Sequence, residues 1–112
     1  VGEVLDDLVE HGLLSEARMA EVYVAERLRK GFGPLRVRHE LREKGLSDDL
    51  IEPHLSLADE RWAELMTDAA AKKFGGAPAR DGKELARRAR FLEYRGFPAD
   101  LIARYLDGAR TD

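Results

Sequence analysis

An all-α body of tandem three-helix repeats, stacked into an elongated, curved array, is the fold this sequence predicts. Three observations predict it. The chain says something similar twice: Leu41-Arg-Glu-Lys-Gly45-Leu-Ser-Asp-Asp-Leu50-Ile51-Glu-Pro-His-Leu55 returns as Leu92-Glu-Tyr-Arg-Gly96-Phe-Pro-Ala-Asp-Leu101-Ile102-Ala-Arg-Tyr-Leu106, without a gap, 51 residues later. A fixed period of this size is the signature of stacked supersecondary units. Apolar residues recur at helical spacing, and no stretch alternates as a half-buried strand would. Gly and Pro sit between the periodic segments, where they punctuate helices.

Each element follows in order. Val4, Leu5 and Leu8 stripe a short helix over residues 1–11, with Gly12 as its C-terminal stop. Ser15 suits an N-cap, and Glu16 adds a negative charge to the first turn of a helix reaching about Lys30. Ala20, Tyr23, Val24 and Leu28 form its stripe. Gly31-Phe-Gly33-Pro34 breaks the chain, and Pro34 opens a third helix, where its missing N–H costs nothing. Leu35, Val37 and Leu41 are its expected apolar contacts, and Gly45 ends it. Ser47 is expected to cap a short fourth helix, with Leu50, Ile51 and Leu55 inward and Pro53 kinking it or ending it early. Trp62, Leu65, Met66, Ala69 and Ala70 stripe a helix from Asp59 to Phe74. A flexible loop is expected at 75–82. Leu85, Ala89 and Leu92 stripe the next helix, stopped by Gly96, and Leu101, Ile102, Tyr105 and Leu106 stripe the last. The organisation is therefore the last helix of a truncated unit (1–11), a central three-helix repeat (12–57) and a C-terminal three-helix repeat (58–112). Starting at Val1, the chain reads as a fragment or processed product.

The net charge of −3 over 112 residues conceals a pattern. Residues 1–17 hold five acids and no Lys or Arg, while residues 18–44 hold eight basic residues against four acids. Residues 46–69 hold seven acids against Arg61, and residues 72–95 hold eight basic residues against three acids. Screening acts over about 8 Å at physiological ionic strength, so a partner meets these blocks rather than their average. The chain has no Cys, which removes disulfides and thiolate metal sites. No apolar run approaches the ~18 residues of a membrane span.

The residues of an enzyme are missing. His11, His39 and His54 are scattered, with no second His at i+3 or i+4 to suggest zinc, so no metal site is expected. Gly75-Gly76 lacks the strand and the Lys-Ser/Thr of a phosphate loop. Ser15, Ser47 and Ser56 have no His–carboxylate relay. Adjacent acids such as Asp48 and Asp49 point to different helix faces. No catalysis and no cofactor are expected, and the two basic blocks become the candidate binding surface. Arg presents a planar fork to carboxylates or phosphates, so an acidic protein surface and a nucleic-acid backbone both remain open as partners. Tyr23 and Trp62 lie on core stripes. Phe91 and Tyr94 lie beside one and are open to stacking.

The stretch from Tyr23 through Arg27-Leu28, Gly31-Phe-Gly33-Pro34 and Arg36-Val37-Arg38 to Gly45 resembles the central repeat of the bacterial RecX family. So does its approach, Gly12-Leu13-Leu14 and Ala17-Arg18-Met19-Ala20. Ala70-Ala71-Lys72-Lys73-Phe74 and Arg88-Ala89-Arg90-Phe91-Leu92-Glu-Tyr94-Arg95-Gly96-Phe97 are similar to the family's last repeat. The resemblance implies a monomeric, cytoplasmic, non-enzymatic regulator without a membrane anchor. It implies binding to the RecA recombinase filament and restraint of its ATPase, strand-exchange and co-protease activities in recombination and the SOS response. Single-stranded DNA is a second, direct partner to consider. The positions matching the family's basic pattern are Arg27, Arg36, Arg38, Arg42 and Lys44, then Lys72, Lys73, Arg90 and Arg95. Leu35, where the family often has a basic residue, and Pro53 depart from it. The alternatives are a stand-alone nucleic-acid-binding helical module and a helical adaptor for an acidic protein.

Overall fold

The computed structural model describes residues 15–110. Among them lie six helices: α1 (Glu16–Arg29), α2 (Pro34–Glu43), α3 (Asp48–Leu55), α4 (Asp59–Phe74), α5 (Gly82–Arg95) and α6 (Ala99–Ala109). The helix expected over 1–11 falls outside the described residues. Helices α1 and α2 each pack on α3, and α4 and α5 each pack on α6, giving two three-helix groups in tandem. The molecule is elongated, 55 × 23 × 18 Å. No described helix is long and apolar enough to cross a membrane.

Local chemistry explains most boundaries. The Ser15 hydroxyl accepts the Arg18 N–H at 3.1 Å and so caps α1. Pro34 occupies the first turn of α2. Ser47 holds the N-cap position of α3, but its hydroxyl makes no capping bond. The helix runs through Pro53 and stops two residues later at Leu55. The sequence reading missed the cap of α5. The Asp81 carboxylate accepts the Glu84 N–H at 2.9 Å, so the helix starts at Gly82.

One apolar core runs through both groups. Val37, Leu41, Ile51, Met66 and Leu92 are its largest fully buried side chains. The stripes of α1, α4 and α6 bury Met19, Tyr23 and Val24, then Trp62, Met66 and Ala70, then Leu101 and Ile102. Trp62 satisfies its indole N–H on the Leu55 carbonyl at 3.2 Å, which ties the end of α3 to α4. Leu35 departs from expectation. It lies outside the Val37–Leu41 stripe and is 48% exposed.

The segment expected as a flexible loop is tethered. Ala79 is buried and donates its N–H to the Ala109 carbonyl at 2.7 Å. The Ala77 carbonyl accepts from Arg88 at 3.0 Å. Backbone groups that find partners hold a loop as firmly as a helix end does.

Candidate partner-binding surface at the repeat joint

The two groups meet turn to turn. Gly33 donates its N–H to the Arg95 carbonyl at 2.7 Å, and Leu35 donates to the Gly96 carbonyl at 2.9 Å. Two arginines reinforce the seam from opposite sides. Arg36 reaches the Tyr94 carbonyl at 3.1 Å, and Arg95 reaches the Lys30 carbonyl at 2.8 Å. The approach is too close for side chains. A Cβ on Gly33 would lie 2.5 Å from the Gly96 carbonyl oxygen, and one on Gly96 would lie 2.4 Å from the Arg36 Cβ.

Cations and aromatic rings alternate across this joint. Phe32 carries the Arg27 guanidinium at 3.8 Å and those of Arg36 and Arg95 at 4.6 Å. Arg95 also lies 5.0 Å from the Phe91 ring, which packs edge-on against Phe74. Arg87 covers Phe74 at 5.4 Å. The quadrupole of each ring attracts the cations above it, so charge and apolar surface stabilise each other here.

The basic residues expected to bind a partner separate into two sets. In the central repeat the four arginines are paired with carboxylates. Arg27 grips Glu40 with two bonds of 3.0 and 2.8 Å, Arg36 joins at 3.3 Å, and the Tyr23 hydroxyl donates at 3.1 Å. Arg38 grips Glu52 at 2.7 and 3.1 Å, and Arg42 grips Asp48 at 2.8 and 3.0 Å. Lys44 lies 5.3 Å from the Tyr23 ring. In the C-terminal repeat the match is gone. Among the described residues, Lys72, Lys73, Arg90 and Arg95 form no ion pair. Lys72, Lys73 and Arg90 are exposed, with Lys73 6.0 Å from the Phe91 ring. Lys72, Lys73 and Arg95 meet Arg29 and Lys30 around a groove of about 290 Å³, lined also by Asp68, Ala69 and Phe91.

Arg88 belongs to neither set. The sequence reading placed it in the second basic block, yet it is only 3% exposed. Its guanidinium donates to Glu84 at 2.6 Å, the Ala77 carbonyl at 3.0 Å and the Tyr105 hydroxyl at 3.1 Å. The signal in the sequence is Glu84, four residues earlier and already one turn below it on the same face.

Burial by itself would raise the Glu40 carboxyl pKa. The hydrogen bonds and charge of Arg27, aided by Tyr23 and Arg36, overcome it and hold the pKa below its ordinary value. The hydrogen bond from Arg38 does the same to Glu52, and that from Arg42 to Asp48. A depressed folded-state pKa stabilises the fold fully above the unfolded carboxylate value, about 4.3 for Glu, and that contribution is lost as pH falls through the folded value. Thermal melts should therefore be flat from pH 7 to about pH 5 and fall steeply below it. Glu40→Gln should flatten the acid limb. An acid limb that keeps its full steepness in this variant would remove Glu40 from the account.

Comparison with known proteins decides the family. Residues 15–55 match the RecX second three-helix domain and residues 59–106 match the RecX third three-helix domain. The chain belongs to the RecX family. The regulatory protein RecX of Pseudomonas savastanoi pv. phaseolicola is 45% identical over 112 residues, covering 100% of this chain and 72% of that protein. Those of Pseudomonas syringae pv. tomato and Pseudomonas putida are each 44% identical over 108 residues, covering 96% of this chain and 70% and 69% of theirs. RecX is a family of regulatory proteins, not of enzymes. The two matched RecX domains correspond to the two helical groups, α1–α3 and α4–α6.

Proposed function

We propose that this chain binds the RecA recombinase filament on DNA, in the cytoplasm, and restrains its ATP hydrolysis, strand exchange and co-protease activity. The observation that carries the reading is identity to regulatory protein RecX at about 45% across the whole chain. The mode of action is mechanical rather than chemical. A stack of helical repeats lies along the filament, touches neighbouring protomers and biases growth toward disassembly. The groove cations Lys72, Lys73 and Arg95, which form no ion pair among the described residues, supply the charge for this contact. Charge of this kind raises the association rate and fixes orientation more than it deepens affinity. Arg27, Arg36, Arg38 and Arg42 act chiefly within the chain, holding the central repeat and its joint.

Co-sedimentation with RecA assembled on single-stranded DNA with a non-hydrolysable nucleotide tests this, beside DNA alone. The chain should pellet with the filament well above its retention on DNA. Lys72→Glu combined with Lys73→Glu should cut that retention about tenfold at low salt, with the difference shrinking as salt screens the pair. Retention no greater on filaments than on bare DNA would sink the proposal.

A further inference from the structure

Helices α2 and α5 are repeat equivalents, and several equivalent positions differ in a way that bears on binding. A shift of 51 residues places Arg36 on Arg87, His39 on Arg90, Glu40 on Phe91 and Glu43 on Tyr94. The two carboxylates of α2 thus become aromatic rings on α5, while Arg36 is kept as Arg87, His39 becomes Arg90, and Arg38 and Arg42 give way to Ala89 and Glu93. Glu40 is the acid that neutralises Arg27 and Arg36. With Phe91 in its place, Arg87 and Arg90 have no carboxylate partner among the described residues.

Lys83, Arg87, Arg90 and Tyr94 follow one another at i, i+4, i+7 and i+11. At 3.6 residues per turn they fall within about 60° of each other around the helix. Leu92 and Arg88 are buried on the opposite side, so this stripe faces outward. All four side chains are exposed. Tyr94 is 71% exposed, the largest exposure of any big apolar side chain described. One side of its ring lies 4.8 Å from the Arg36 guanidinium. Successive cations stand about 4.5–6 Å apart along the axis, from a rise of about 1.5 Å per residue. Glu84, the acid within this run, is held by Arg80 and Arg88, and Glu93 lies on the flank of the stripe.

We infer that the outer face of α5 is a track for single-stranded nucleic acid. Lys83, Arg87 and Arg90 take backbone phosphates, and Tyr94 stacks an unpaired base. An acidic protein surface would satisfy the cations but gives no use for an exposed ring at the end of their row. A single strand offers a phosphate row and unstacked bases together. The acidic overall balance does not oppose this, because charges beyond a Debye length are screened. The track stands apart from the filament reading and needs no RecA.

The test is fluorescence anisotropy of a labelled 20-residue oligothymidylate with the whole chain, across a salt series. Three neutralised phosphates on a single strand give a slope of log K against log salt of about −2, roughly a 20-fold loss between 50 and 200 mM. Lys83→Gln, Arg87→Gln and Arg90→Gln together should abolish that slope. Tyr94→Leu should weaken binding at least about fivefold with the slope kept, and Tyr94→Phe should restore it. A duplex of equal length should bind more weakly, since its bases are not free to stack. Circular dichroism of each variant checks folding, and all four positions are exposed. The inference is overturned if the wild-type chain shows no salt-dependent binding, if the triple variant keeps the slope, or if duplex binds equally. Filament pelleting is read separately. Loss of DNA binding with pelleting intact supports the track, and loss of pelleting by the triple variant without any wild-type DNA binding overturns it in favour of a protein contact.

Discussion

Gly96→Val is expected to lower the unfolding free energy by about 3 kcal/mol, from the left-handed backbone and the steric conflict together. Gly96 ends α5 at φ +95°, a conformation that costs an ordinary residue about 1–2 kcal/mol. The remainder comes from the joint. Its new Cβ would sit 2.4 Å from the Arg36 Cβ and 2.5 Å from the Arg36 nitrogen, so main chain, not a flexible tip, must move. Gly45 provides the control. It has φ +87°, but an added Cβ there meets nothing within 4 Å. Gly45→Val should therefore show the backbone cost alone, about 1–2 kcal/mol. Gly33→Ala should approach Gly96→Val, because it conflicts with the Gly96 carbonyl while its own φ of −93° is ordinary. Urea denaturation of the three variants measures the differences. Equal losses for Gly45 and Gly96 would mean that the joint yields easily.

Arg88→Ala is expected to cost about 3 kcal/mol, since hydrogen bonds to a charged, buried group are each worth about 1.5–3 kcal/mol. The guanidinium is 3% exposed and is the hub between α5, the Ala77 carbonyl and Tyr105 of α6. Its removal strands the Ala77 carbonyl and empties space against Phe74, which the guanidinium covers at 5.4 Å. The loop ahead of α5 should then open. Amide hydrogen exchange at Ala79, bonded to the Ala109 carbonyl, reads that opening directly. Arg88→Lys should fail to rescue, because an ammonium cannot span the three acceptors as a planar fork does. Wild-type stability in Arg88→Ala, or unchanged exchange at Ala79, would place the anchorage of the loop elsewhere.

The helices were legible because their signals are local. Pro34 at a first turn, Ser15 as a cap and Gly96 as a stop each act within a few residues. The stripes of α1 and α4 could be read from spacing alone, and the order and spacing of motifs pointed to the family. The site was less legible, because charge counts do not show which charges are spent. Arg38 finds Glu52 and Arg27 finds Glu40 across 14 and 13 residues of sequence, and only the folded packing of α2 on its neighbours makes those pairs. Arg88 deceived for the same reason. In composition it is one more cation of a basic block, yet the turn beneath it and the loop above it remove it from the surface. The tethering of residues 75–81 was hidden likewise, since glycines and a proline describe a chain that can bend, not one that is held.

The joint between the repeats has a consequence for how this protein can change. Its angle is set by amide-to-carbonyl bonds between Gly33, Leu35, Arg95 and Gly96, with no room for side chains between the facing turns. Bend and recognition are thereby decoupled. The outward faces of α2 and α5 can be rewritten, by mutation or by design, while the angle between the repeats stays constant. The distance between contact points on a long, regular partner is then inherited, and only their chemistry is free to drift.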